Sequence, residues 1–77
     1  MITLAEIKQI KQMFITAYGA ALEMVGNQMA VGIGKDEATG DFTIEARVTN
    51  NKLLSVLPDT YQDVKVNVEV VGKISAL

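Results

Sequence analysis

Along the first third of the chain, Ile7, Ile10, Phe14, Ala17, Tyr18, Ala21, Met24 and Val25 recur at three- and four-residue spacing, with Lys8, Gln9, Gln12, Thr16 and Glu23 opposite them. That is the period of an amphipathic helix. Thr3-Leu4-Ala5-Glu6 supplies a capping box, in which the threonine hydroxyl accepts from the third helical amide while the glutamate accepts from the cap amide. Ile2 and Ile7 fit the accompanying hydrophobic staple, and Gly26-Asn27 supplies a stop. The spacing predicts a helix over residues 4–25, ~33 Å long at 1.5 Å per residue. Such a helix offers two adjoining apolar surfaces: Ile7, Ile10, Phe14, Ala17 and Tyr18 on one, and Leu4, Met13, Ala20, Ala21 and Met24 beside it. A single small sheet accommodates only one of them.

After Asn27 the period changes to two. Met29, Val31 and Ile33 alternate with Ala30, Gly32 and Gly34, and Phe42, Ile44, Ala46 and Val48 alternate with Thr43, Glu45, Arg47 and Thr49. These are two strands joined by the polar hairpin loop Lys35-Asp36-Glu37-Ala38-Thr39-Gly40-Asp41. Asn50-Asn51 can cap a short helical turn through residues 52–57, ended by Pro58, and Val64, Val66, Val68 and Val70 then alternate with Lys65, Asn67 and Glu69 as a third strand. The elements sum to an α+β fold in a single domain over residues 1–77. A long N-terminal helix packs on a small, mainly antiparallel three-stranded sheet in the order α-β-β-short α-β. The expected strand order is 2-1-3, with the glycine strand central and Gly32 required, so that Gly32→Val would damage the fold.

Size makes such a fold thin, because a domain near this length buries only ~60% of the surface its unfolded chain exposes. Disulfides and the usual metal sites are poor remedies in a chain of 77 residues with no Cys and no His. The hydrophobic fraction is nevertheless 49%. Some apolar surface is therefore expected to meet another chain, and the sequence predicts a homo-oligomer, a dimer or a multiple of one, with the residue 4–25 helix in the interface. Seven basic and nine acidic residues, for a net charge of −2, give no footprint for nucleic acid. No apolar run is long enough to cross a membrane. Residues 1–22 imitate a signal peptide, but Glu6 and the capping box argue against removal, and a cytoplasmic location is expected.

The stretch MAVGIGKDEATGD contains the only glycine-and-cation pattern that resembles a phosphate loop. A Walker A loop needs glycine where Met29 stands and serine or threonine where Asp36 stands, and a dinucleotide fingerprint needs a third glycine where Glu37 stands. Asp36, Glu37 and Asp41 likewise fail the spacing of a calcium loop, since Ala38, Gly40 and Arg47 fall where ligands belong. Ser55 and Ser75 have no histidine to activate them. Glu45 and Glu69 are better read as partners of Arg47 and Lys65 on an outer sheet face. The sequence thus assigns no catalytic, cofactor-binding or metal-binding residue and points to a protein that is not an enzyme. It favours a small interaction and assembly module, with a small-ligand carrier using the glycine strand as an alternative.

The order helix, Ala30-Val31-Gly32-Ile33-Gly34, Phe42 to Val48, Leu57-Pro58, Val64-Lys65-Val66 and Val70-Val71-Gly72-Lys73-Ile74-Ser75-Ala76-Leu77 resembles the region preceding the protease domain of bacterial trypsin-like serine peptidases. The catalytic histidine, aspartate and Gly-Asp-Ser-Gly stretch of such peptidases have no counterpart here. The resemblance implies a stand-alone accessory domain, one that packs on itself or acts as a prosegment-like regulator of a peptidase partner.

Overall fold

The computed structural model describes residues 2–72. One helix, α1 (Leu4–Met24), is followed by strands β1 (Met29–Lys35) and β2 (Phe42–Val48), a single 3-10 turn (Leu54–Val56), the two-residue strand β3 (Thr60–Tyr61) and β4 (Val64–Val70). The fold is α+β, a long helix on one face of a small mixed sheet ordered β1-β2-β4-β3.

Local chemistry sets both ends of α1. The Glu6 amide donates to the Thr3 hydroxyl at 3.2 Å and the Thr3 amide donates to Glu6 Oε1 at 3.1 Å, which closes the capping box. At the other end Gly26 adopts φ 76°, in the left-handed region. Its amide donates to the Glu23 carbonyl at 3.0 Å and the Asn27 amide donates to the Leu22 carbonyl at 2.9 Å, the two bonds of a Schellman stop. The buried side chains of α1 are Ile7, Phe14 and Leu22, with Ile10 and Tyr18 half-buried beside them. Leu22, absent from the apolar positions read from spacing, thus replaces Ala21 and Met24 in the core. The expected first surface packs inward, except for Ala17, and the expected second surface stays exposed.

The sheet differs from expectation in strand number, order and direction. β2 is central: it pairs antiparallel with β1 and parallel with β4, Ile44 opposite Val66 and Val48 opposite Val70. Burial explains the choice of centre, because Ile44, Ala46 and Val48 are all sealed between neighbours whereas the glycine strand has little bulk to bury. A parallel partner requires a crossover of about a dozen residues or more, which residues 49–63 supply. The helical turn expected at 52–57 shrinks to Leu54–Val56, because Leu53 sits at φ 58° and Asn50 Oδ1 instead accepts from the Lys52 amide at 2.9 Å. β3 joins β4 through Gln62 and Asp63, both at positive φ (51° and 64°), the geometry of a tight primed turn.

The core gathers Ile7, Phe14, Ile44, Ala46, Val64 and Val66. Phe14, Tyr18 and Tyr61 form a ring triad with centroids 5.0, 5.5 and 5.9 Å apart, fixing β3 against the helix. The tail at 73–77, which includes Ser75, lies outside the described residues.

Candidate functional site

The loop after β1 is closed on itself. The Asp36 amide donates to the Asp41 carbonyl at 2.8 Å and the Gly40 amide donates to the Asp36 carbonyl at 2.7 Å. Ala38 donates to Asp36 Oδ1 at 2.8 Å and Asp41 to the Thr39 hydroxyl at 3.2 Å. The amides of Asp36, Ala38, Gly40 and Asp41 are thus engaged within the turn, and Lys35 lies over the Phe42 ring at 5.7 Å. The two glycines sit inside β1, as the alternating pattern requires.

They are not equivalent. A Cβ at Gly32 would meet nothing within 4 Å, so the expectation that Gly32→Val damages the fold is corrected: an edge strand leaves that face open. At Gly34 a Cβ would fall 2.5 Å from Glu45 Oε1, because the Glu45 side chain leans across the strand and lies over that glycine. Ala30, Gly32, Glu45 and Arg47 line a shallow outer hollow of about 290 Å³. On the far side Arg47 Nε stands 3.9 Å from Glu69 Oε2, with both side chains well exposed. A pair of that kind is worth at most about 1 kcal/mol and leaves Arg47 free to turn elsewhere.

A second hollow, of about 430 Å³, is lined by Asp36, Asp41, Asp63, Lys65, Thr39 and Thr43 among others. Thr43 is only 2% exposed and its hydroxyl has no partner among the described residues, while Asp36 already serves its own turn. Among the described residues no three Asp or Glu side chains approach closely enough to share a metal ion. A third, apolar groove runs between α1 and the edge of β1, bordered by Ile15, Gly19, Ala20, Glu23 and Met29.

The sheet has two edges. Among the described residues, β3 covers only Val64 and Lys65 of β4, and β1 has a neighbour on one side alone. The bonds Asp36 to Asp41 and Thr49 to Gln28 place the even-numbered residues of β1 toward β2. By alternation, Met29, Val31, Ile33 and Lys35 point their amides and carbonyls outward.

The residue that spacing did not single out is Asn27, fully buried where helix, sheet and crossover meet. Its Nδ2 donates to the carbonyls of Asn50 and Lys52 at 3.0 and 2.9 Å. Its Oδ1 accepts from the Thr49 amide and hydroxyl and from the Asn50 amide at 3.1, 3.2 and 3.1 Å. An asparagine after a helix-ending glycine carries no signal of such a role. Among the described residues no helix is long and apolar enough to cross a membrane. No protein-family model, curated protein or solved structure matches this chain.

Proposed function

We propose that this protein is a non-catalytic assembly module that associates with copies of itself, with the outward side of α1 covered in the assembly. The observation that carries the reading is the apolar strip left bare on that helix. Met13 and Met24 are exposed on one side of the helix, Met24 to 88%, and Ala17, Ala20 and Ala21 lie among them with no bulk to hinder a second backbone. A specific dimer buries ~800 Å² on each partner, and twofold pairing is the commonest closed arrangement. The reading includes a cytoplasmic location, which fractionation against an exported marker tests.

Static light scattering at tens of micromolar is the direct measurement, and a dimer or a multiple of one is expected. Ala20→Glu should lower the mass while leaving the far-UV circular dichroism of the folded chain unchanged, because Ala20 is exposed in the single chain. Phe14→Glu is unsuitable, since Phe14 lies in the chain's own core and its loss unfolds the protein. A mass of 8.3 kDa for cooperatively melting wild-type protein would refute the reading. Recovery of a serine peptidase with the purified chain would favour an accessory domain instead.

A further inference from the structure

We infer that the free edge of β1 pairs antiparallel with β1 of a second copy, clasped by Glu45 of each chain against Arg47 of the other. The inference rests on the self-association reading for the identity of the partner, but it places the contact on the β1 edge, which adjoins the exposed strip of α1 only at the groove that Ala20 borders.

The edge itself calls for a strand. β1 is seven residues long, and from Met29 to Gly34 it carries no charge and no proline to deter pairing. Its outward amides and carbonyls belong to residues 29, 31, 33 and 35. Antiparallel pairing about a twofold axis at Gly32 sets Val31 opposite Ile33 of the second copy and Met29 opposite its Lys35. Every outward group then faces another outward group, and all seven residues are used. The two Lys35 side chains fall at opposite ends, ~20 Å apart along the strand. Each stands opposite Met29, which borders the groove that also holds Glu23.

Charge chooses a second copy over any other strand. In this register Gly34 opposes Ala30 of the second copy, and Ala30 is in turn paired with Arg47 of its own chain. Glu45 already leans over Gly34, so its carboxylate is displaced toward the edge and into the row that leads to that arginine. Two strand spacings, about 9–10 Å, separate the backbone beneath the carboxylate from that of the opposing Arg47. An extended guanidinium side chain spans this gap to ion-pair contact. It crosses only Ala30 and Gly34, whose lack of bulk keeps the path open. The twofold repeats the pair, giving two Glu45–Arg47 contacts with like charges kept apart. The bare face of β1 thereby acquires a use: long charged side chains from the neighbouring strand reach over it.

The test uses the full chain in low salt, by sedimentation velocity over a concentration series. Glu45→Arg sets two guanidinium groups against each other across the pair, and Arg47→Glu sets two carboxylates against each other. Each is expected to weaken self-association by about tenfold or more. The double variant restores the opposite charges and is expected to return near wild type. An equimolar mixture of the two single variants should form a heterodimer more readily than either forms a homodimer. Hydrogen exchange supplies a reading that charge alone would not move: the Val31 and Ile33 amides should gain protection as concentration rises. Wild-type protein that stays monomeric overturns both the inference and the reading beneath it. An oligomer dissociated by Ala20→Glu but indifferent to both charge reversals, with Val31 and Ile33 amides unprotected, overturns this inference alone.

Discussion

Asn27 offers the sharpest test of what holds this small fold together. Replacing it with alanine removes five hydrogen bonds and takes a partner from the carbonyls of Asn50 and Lys52 and from the Asn50 amide, while the Thr49 amide keeps its bond to the Gln28 carbonyl. At ~1 kcal/mol net for each bond the sum is ~5 kcal/mol. Thr49 and Asn50 are half-buried, so water recovers part of that loss. A cost of about 2–4 kcal/mol is expected against a total stability of ~4–12 kcal/mol for a chain of this length. The melting temperature should fall by roughly 10–30 °C, at about 4–8 °C per kcal/mol. Asn27→Asp separates the donors from the acceptor: shape and the three accepted bonds are kept, but an oxygen now faces two carbonyls where Nδ2 stood 2.9 and 3.0 Å away. It should destabilise at least as much as alanine does. Urea unfolding followed by far-UV circular dichroism decides the matter. A loss below about 1 kcal/mol for either variant, with an unchanged slope, would show that the crossover is anchored elsewhere.

Four further outcomes are expected. Thr43→Val should stabilise by about 1 kcal/mol, because it removes a buried hydroxyl without a partner; a loss instead would reveal a bound group at that oxygen. Gly32→Val should leave stability within about 0.5 kcal/mol of wild type, as open edge positions tolerate branched residues, and collapse of the fold would refute the open face. Replacing Gln62-Asp63 by Asn-Gly should add about 1 kcal/mol by easing two left-handed residues, and an unchanged midpoint would mean that the turn is unstrained. Hydrogen bonds from the Thr3 amide and then its hydroxyl hold the Glu6 carboxyl below its ordinary value. Its contribution is complete above the unfolded value of ~4.3 and is lost as pH falls through the lower folded value; Glu6→Gln should flatten that part of the acid limb, and an identical acid profile would refute the assignment.

Features written in neighbouring residues were legible in the chain. Thr3 with Glu6, Gly26, the seven-residue alternations and the polar loop at 36–41 each reveal themselves within a few positions, and the helix and hairpin follow from them. Strand order did not follow. Whether β4 lies beside β1 or β2 depends on the path of residues 49–63, and that path is set by Asn27, Asn50 and the left-handed Leu53, none of which carries a periodic signature. β3 was hidden for a related reason, since its turn uses Gln62 and Asp63 where Asn-Gly would have announced it. Leu22 falls outside the pattern because the buried stripe drifts along the helix, whereas apolar spacing favours Met24 and Ala21. The candidate interaction surface is the least legible feature, being made of backbone groups on a sheet edge, for which no side-chain motif exists.

The aromatic triad also determines how this molecule can be watched. Tyrosines 18 and 61 are the only two in a chain without tryptophan, and both belong to the same cluster with Phe14. Intrinsic fluorescence and near-ultraviolet dichroism therefore report one place, the seam where β3 meets the helix. Far-ultraviolet dichroism, by contrast, is dominated by the one α-helix among the described residues, running from Leu4 to Met24. The two signals sample docking and winding separately without any label. If they change together on heating, the domain unfolds as one cooperative unit; if the tyrosine signal departs first, β3 detaches while the helix is still wound.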